Sequence, residues 1–136
     1  MTDTRRSIGS GVAWETIVGY SRAVRIGQIV AVAGTTAALP GGGVVGKDDP
    51  AEQTREVIRR IEAALVAVGA TLNDVVRTRM FVTDIASWEQ IGRAHGEFFA
   101  DIRPVATMVQ VALLIEPQLL VEIEVDAVVV DQPAVE

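Results

Sequence analysis

The stretch LLVEIEVDAVVV, residues 119–130, alternates cleanly between two kinds of side chain. Its odd-numbered residues are all apolar, whereas its even-numbered residues include three acids, Glu122, Glu124 and Asp126. Since successive side chains of a strand point to opposite faces of a sheet, this pattern predicts a β-strand. We expect one face of the strand to pack against helices and the other face to carry the charge.

The stretch DVVRTRMFVT, residues 74–83, predicts a second strand that can face those acids. Its odd-numbered residues include Arg77 and Arg79, and its even-numbered residues include Val76 and Met80. Cross-strand neighbours of opposite charge attract each other, so we expect the two arginines to form structural ion pairs with the three acids.

The charged face also has apolar members, which we expect to include Phe81 and Leu120 and, from a strand in residues 105–115, Ala106 and Met108. A mixed polar and apolar surface of this size is typical of an interface between subunits. The pattern therefore predicts an oligomer. The alternative is a solvated sheet face, whose exposed ion pairs each contribute about 1 kcal/mol or less.

The other segments supply a hairpin and two helices. Residues 20–36 hold two short apolar runs separated by Gly27-Gln28, which predicts two strands joined by a tight turn. A helix is expected to start with Asp49 as its cap, to have Pro50 in its first turn and to run to about residue 68. Residues 87–100 have the apolar spacing of a second helix.

Residues 105–115 and 119–130 are separated by Glu116-Pro117-Gln118, so we expect them to form an antiparallel pair. The element order is then ββαβαββ. It predicts an α+β fold, a two-layer sandwich with two helices packed on one face of a mixed sheet.

Length and composition indicate a single domain over residues 1–136, with residues 1–14 as a loose N-terminal arm. The 136 residues are 49% apolar and include only five prolines, which is typical of a globular core. No apolar run approaches the roughly 20 residues of a membrane helix, so we expect no membrane partner. The arm lacks the apolar block of a secretory signal, and a cytoplasmic location is expected.

Composition also excludes several kinds of chemistry. The chain has no cysteine, which removes disulfides, thiolate metal sites and thiol nucleophiles. Its net charge of −6 disfavours nucleic-acid binding. The glycine-rich residues 41–46 lack the order of a phosphate loop and predict a mobile loop. We expect no cofactor and no metal, because neighbouring arginines are expected to neutralise the acids of residues 119–130.

Two side chains outside the strands remain candidates. His95, the single histidine, lies on the second helix, where a lone histidine is more often a packing residue than a general base. Trp14 precedes the first hairpin strand, where it either covers a ligand cleft or anchors the arm.

The chain resembles the Rid/YjgF family from about residue 20 to residue 130. The matching motifs are Gly19-Tyr20, Val32-Ala33-Gly34, residues 74–84, Phe98-Phe99, Arg103-Pro104 and Val121-Glu122-Ile123-Glu124. The resemblance implies a chorismate-mutase-like fold and a homotrimer with ligand clefts between subunits. It also implies hydrolysis of enamine or imine intermediates, which releases ammonia.

The same resemblance assigns roles to individual residues. Glu122 matches the family's catalytic glutamate, which helps to position water, and Tyr20 matches a residue of the cleft. The position of the arginine that grips the substrate carboxylate holds Ala106, which offers neither charge nor hydrogen-bond donor. We therefore expect a substrate other than the usual small 2-imino acids, one that Ala106 and Met108 can accommodate.

Two questions stay open at this level. Arg77, Arg79 or Arg103 is a candidate replacement for the missing arginine, and we include Arg79 and Trp14 among the predicted substrate-binding residues. The chain is either a Rid-type hydrolase of a small molecule or a trimer that binds a metabolite or partner without catalysis.

Overall fold

A computed structural model describes residues 4–130 as one six-stranded sheet with two long helices. The strands are β1 (Arg5–Ile8), β2 (Ala23–Ile26), β3 (Ile29–Thr35), β4 (Val75–Val82), β5 (Val105–Gln110) and β6 (Val121–Val128), and the helices are α1 (Pro50–Ala67) and α2 (Trp88–Phe99). The order across the sheet is β1-β2-β3-β6-β4-β5. The predicted α+β sandwich with a mixed sheet is confirmed.

Strand β6 lies inside the sheet and pairs antiparallel with both β3 and β4. Its apolar residues Val121, Ile123, Val125 and Ala127 are buried under the helices, as their alternation predicts. Burying a side chain such as Ile123 contributes about 1.5–3 kcal/mol relative to exposure. Its acids point to the opposite side, which we call the open face of the sheet.

Strand β5 differs from the sequence prediction. It pairs with β4 in parallel and is not adjacent to β6 in the sheet. The predicted antiparallel pairing of residues 105–115 with residues 119–130 is therefore wrong. The strand ends at Gln110, and in the connection to β6 Leu113 is 82% exposed and Ile115 is 89% exposed. Parallel neighbours need a long crossover, and α2 supplies it.

The predicted loose arm is also partly wrong, because Arg5–Ile8 forms β1 along the edge of β2. The Arg6 side chain donates from Nη2 to the carbonyl of Val68 at 2.6 Å, and Arg25 of β2 donates from Nη1 to the same carbonyl at 2.9 Å. Both arginines thus satisfy backbone acceptors at the end of α1. The first three residues of the arm lie outside the described residues.

Helix α1 begins and ends as the sequence predicts. The Asp49 side chain accepts from the backbone N–H of Glu52 at 3.0 Å, and Pro50 is the first helical residue. Gly69 follows the helix with a φ of 80°, a conformation that glycine adopts at low cost. Because the Asp49 carboxylate already occupies the helix N-terminus, the preceding glycine-rich loop has no open anion site there.

Strand β4 contains a bulge that the sequence pattern does not reveal. The ladder with β6 shifts between Val75 and Arg77. As a result Val75 is buried and Val76 is 46% exposed, so the prediction that Val76 faces the core is wrong. In α2, Trp88 is exposed too, whereas Ile91, Ala94 and Phe99 are buried.

Gln53 connects three parts of the fold from a fully buried position in α1. Its Nε2 donates to the carbonyls of Gly46 and Gln118, at 3.1 and 2.9 Å, and its Oε1 accepts from the N–H of Leu120 at 2.8 Å. The amide thereby fixes the loop before α1 and the entry to β6. Its partners are distant in sequence, so periodicity does not identify it.

We predict that Gln53→Leu lowers the free energy of unfolding by about 2–4 kcal/mol, because the change leaves buried backbone groups without partners. Urea unfolding followed by circular dichroism measures this loss. The matched control is Gln90→Leu on the exposed side of α2, where we expect a change within about 0.5 kcal/mol. Equal stability of the two variants would contradict the assigned role of Gln53.

Candidate functional site

Glu122 lies on the open face of β6, directly opposite Phe81 of β4. On its other side is Gly34 of β3, within a register shift between Val32 and Thr35. A β-carbon added to Gly34 would overlap the carboxylate of Glu122. The missing side chain at Gly34 therefore makes the space in which this carboxylate sits.

Burial raises the pKa of Glu122 above its ordinary value, and the nearby charge of Glu124 acts in the same direction. The positive charge of Arg22 opposes this shift. Glu122 forms no ion pair with any described residue. A half-buried carboxylate with a raised pKa is a stronger proton acceptor than an exposed one.

The other acids of β6 are neutralised by β4. Arg79 Nη1 lies 3.0 Å from Glu124 and 3.3 Å from Asp126, and Arg77 Nε lies 3.7 Å from Asp126. This confirms the predicted structural ion pairs of Arg77 and Arg79 with β6, although Glu122 does not take part in them. Arg79 thus has two carboxylate partners already.

Arg22, just before β2, holds the irregular part of β3. Its Nη1 donates to Thr35 Oγ1 at 2.6 Å, to the Gly34 carbonyl at 3.1 Å and to the Ala33 carbonyl at 3.5 Å. Sequence reasoning missed both Arg22 and Gly34. The signal available was the position of Arg22, two residues after the motif residue Tyr20.

Tyr20 and Trp14 flank a single π-helical turn, Glu15–Gly19. The Glu15 carboxylate accepts from the N–H and hydroxyl of Ser10, at 2.9 and 2.6 Å, and so closes the turn onto the preceding segment. Tyr20 is exposed, and Trp14 is 64% exposed. The Trp14 ring therefore does not anchor the arm within a single chain.

Ala106 and Met108 occupy the side of the sheet opposite to the one predicted. Ala106 pairs with Thr78 and Met108 pairs with Met80, and both partners on β4 are buried under the helices. Paired residues share a face, so neither residue lies on the open face. Met108 packs against the core. Within one chain, Ala106 and Glu122 are separated by β4 and point to opposite faces.

Arg103 also lies apart from Glu122. It is exposed, with a φ of 57°, and its N–H donates to the Phe99 carbonyl at the end of α2. Strand β5, which follows Arg103, begins beside Arg77 of β4, whereas Glu122 pairs with Phe81 further along β4. None of the three arginines considered from the sequence is thus available beside Glu122.

His95 lies between α2 and the sheet. Its Nε2 is 2.9 Å from the Thr78 hydroxyl, and its ring stacks on Phe99 with centroids 4.6 Å apart. Burial lowers the pKa of His95, which favours the neutral ring. These contacts are those of a packing residue under the helices, on the face away from Glu122.

Two concavities in residues 4–130 are lined by residues other than Glu122. One concavity of about 480 Å³ lies over the outer surface of α2, next to Trp88 and Arg93. A second, of about 210 Å³, lies between the start of α1 and the start of α2, lined by Asp48 and Asp84. Neither is lined by Glu122 or Ala106.

Residues 4–130 also bear on metal and membrane partners. No group of three or more histidine or acidic side chains is arranged to hold a metal ion in that part of the chain. No helix in the same residues is long and apolar enough to cross a membrane.

Comparison with known proteins places this geometry in a family. An Endoribonuclease L-PSP family model matches residues 10–129. A RutC family protein of Pyrococcus abyssi is 34% identical over 105 residues, or 77% of this chain and 82% of that protein. An uncharacterized protein of Streptomyces coelicolor is 38% identical over 122 residues, or 90% of each chain.

A solved structure extends the match to the fold. The crystal structure of Rv2704 from Mycobacterium tuberculosis, a member of the YjgF/YER057c/UK114 family, is 55% identical with a TM-score of 0.84. The match covers 93% of this chain and 100% of that chain. The chain therefore belongs to the Rid/YjgF family, whose family model is described as Endoribonuclease L-PSP.

Proposed function

We propose that this protein is a cytoplasmic homotrimer that hydrolyses an enamine or imine intermediate in a cleft between its subunits. The observation that carries the proposal is the position of Glu122. It is a half-buried carboxylate with a raised pKa and without an ion-pair partner among the described residues. Its neighbours Glu124 and Asp126 are paired with Arg79 and are not equivalent to it.

The reaction requires one proton acceptor beside the attacking water. The imine reacts in its protonated, iminium form. As the water oxygen bonds to the iminium carbon, Glu122 takes a water proton, and the electron pair of the carbon–nitrogen double bond moves to nitrogen, which becomes a neutral amine. Return of the proton to this nitrogen makes it a leaving group. The carbon–nitrogen bond then breaks, ammonia departs, and the remaining hydroxyl loses its proton to give the keto product.

The arrangement of candidate residues supports a cleft shared by subunits. Ala106 and Glu122 lie on opposite faces of one sheet, so a ligand that touches both positions must contact two chains. Trp14 and Tyr20 expose large rings on a closed turn, where a second subunit can cover them. We propose that Trp14, Tyr20, Ala106 and Met108 line this cleft, and that Arg79 contributes only through its ion pairs.

Edge strand β5 is the part of the chain best suited to subunit contact. Val105 and Val109 are exposed on the open face, and Leu113 and Ile115 are exposed in the segment that follows. Large apolar side chains that are exposed near one another in a chain are often covered in an assembly. The trimer buries this surface and brings the site residues of neighbouring chains together.

We predict that the wild type releases ammonia from freshly generated bulky enamines faster than from 2-aminoacrylate, since the small side chain of Ala106 leaves space for a bulky group. Ala106→Arg should increase release from 2-aminoacrylate by about 10- to 100-fold, the effect of a charge-assisted hydrogen bond. A coupled ammonia assay measures both. Val66→Arg, which adds the same charge on the outer surface of α1, is the control and should show no increase.

The outcome decides between two functions. Release by the wild type supports the hydrolase. No release from any enamine until arginine is restored at position 106 would contradict it and would favour the alternative, a trimer that binds a metabolite or partner without catalysis.

We predict that Glu122→Gln abolishes ammonia release and stabilises the fold at pH 7. A carboxyl whose pKa is raised by folding favours the folded state in its neutral form. Its stabilising effect is complete at low pH and is lost as the pH rises through the raised pKa. The melting temperature of Glu122→Gln minus that of the wild type should therefore increase from pH 4 to pH 7.

The control for both readouts is Glu62→Gln, an exposed acid on α1, which should change neither activity nor the pH profile of stability. Retained turnover in Glu122→Gln would remove Glu122 from the mechanism. A melting difference that shrinks towards pH 7 would contradict the raised pKa.

We predict that light scattering gives the molar mass of a trimer for the protein in solution. Val109→Lys should reduce the trimer fraction, because it places a charge in the interface. The control is Val66→Lys, at an exposed valine on the outer surface of α1, which should leave the trimer intact. A monodisperse wild-type monomer would refute the assembly and the shared cleft together.

A further inference from the structure

The Arg22 guanidinium is held in place by one of its three nitrogens. Nη1 donates to Thr35 Oγ1, the Gly34 carbonyl and the Ala33 carbonyl, at 2.6–3.5 Å. The Arg22 backbone is fixed as well, because its N–H donates to Ile8 and its carbonyl accepts from Ala33. The Arg22 side chain is therefore already ordered in the absence of a ligand.

The other two nitrogens of Arg22, Nε and Nη2, have no hydrogen-bond acceptor among residues 4–130. These two nitrogens share one edge of the planar group, and their N–H bonds point in parallel towards the same side. This is the edge geometry that binds both oxygens of a carboxylate at once. Arg22 is also only partly buried, so that a ligand can reach it.

Arg22 and Glu122 meet at Gly34. Arg22 binds the carbonyl of Gly34, while the Glu122 carboxylate occupies the space where a side chain at Gly34 would lie. Even so, no ion pair joins Arg22 to Glu122 in the described part of the chain. The positive charge of Arg22 thus acts on Glu122 although the two side chains form no ion pair.

Glu15 does not occupy the open edge of Arg22 either. Its carboxylate is taken up by the N–H and hydroxyl of Ser10. These hydrogen bonds are the main cause of the lowered pKa of Glu15, and the charge of Arg22 adds to the effect. Arg22 is therefore close to two carboxylates, and neither forms an ion pair with it.

We propose that Arg22 binds the carboxylate of the substrate, as a replacement on the β2–β3 side for the arginine that is absent at Ala106. In this orientation the reacting carbon of the substrate is bonded to the carboxylate that Arg22 holds. That carbon then lies next to Glu122. This inference rests on the proposed function and gives it a substrate orientation.

The placement explains how an anionic substrate and Ala106 are compatible. Arg77 and Arg79 are paired with the acids of β6, and Arg103 lies at the far end of β5. Arg22 is the described cation that combines proximity to Glu122 with an open two-nitrogen edge. With the carboxylate bound at β2–β3, the Ala106 side of the cleft is left for the bulky group of the substrate.

The test compares an acid with its neutral analogue, 2-oxobutanoate with 2-oxobutanamide, by ligand-observed NMR titration. Both are unreactive product analogues, so the measurement needs no turnover. We expect the wild type to bind the acid about 10- to 100-fold more tightly than the amide. Arg22→Gln and Arg22→Lys should reduce this ratio to about one, because glutamine lacks the charge and lysine lacks the parallel edge.

The ratio within one variant separates recognition from folding. Arg25→Gln is the matched control, since it removes another structural arginine of β2 that caps α1 far from Glu122, and it should keep the wild-type ratio. An unchanged ratio in both Arg22 variants would overturn the inference and leave Arg22 as a purely structural clamp. A wild type that does not prefer the acid would overturn it as well.

Failure of this inference can be told apart from failure of the hydrolase. If the protein releases ammonia and its preference for the acid does not depend on Arg22, only the role of Arg22 is refuted. An acid preference that depends on Arg22, in a protein that releases no ammonia from any enamine, would keep the carboxylate site and refute the hydrolase.

Discussion

The two-faced strand β6 is the constraint on which the rest of the structure depends. It is hydrogen-bonded on both sides, so its register with β3 and β4 fixes every neighbour of its side chains. A slip of one residue would exchange its apolar and acidic faces and place three carboxylates under the helices. The cost of burying unpaired charge excludes that alternative. The positions of Glu122 and its neighbours follow from a packing requirement.

The three acids on the open face of β6 differ in their neighbours. Glu124 and Asp126 are within reach of Arg79, which neutralises both. Glu122 instead has the apolar side chain of Phe81 on one side and Gly34, which has no side chain, on the other. This difference leaves Glu122 less solvated and with a raised pKa, because no hydrogen-bonded cation offsets its burial. From the same alternating pattern the sheet thus produces two ion-paired carboxylates and one, Glu122, without an ion pair among residues 4–130.

Sequence reasoning predicted the features that depend on local periodicity and missed those that depend on distant partners. The alternation of residues 121–128 correctly predicts which side is buried, and Asp49 and Gly69 correctly bound α1. The pairing of β5 was wrong because an edge strand of few residues carries no signal about its partner or direction. The faces of Ala106 and Met108 followed from that error. Arg22 makes its contacts eleven to thirteen residues away, through an irregular ladder that composition cannot reveal.

The irregular ladder itself gives a reason for the position of Arg22. A bulge leaves backbone carbonyls of β3 without regular partners, and a guanidinium can satisfy several of them at once. An arginine used in this way keeps its remaining edge in a fixed orientation, so binding an anion costs little further side-chain entropy. An arginine on the exposed edge strand β5 would have to be ordered by the ligand or by another subunit. In the proposed site, the arginine that would bind the carboxylate is thus already ordered within one chain, whereas the proposed cleft would be completed only in an assembly.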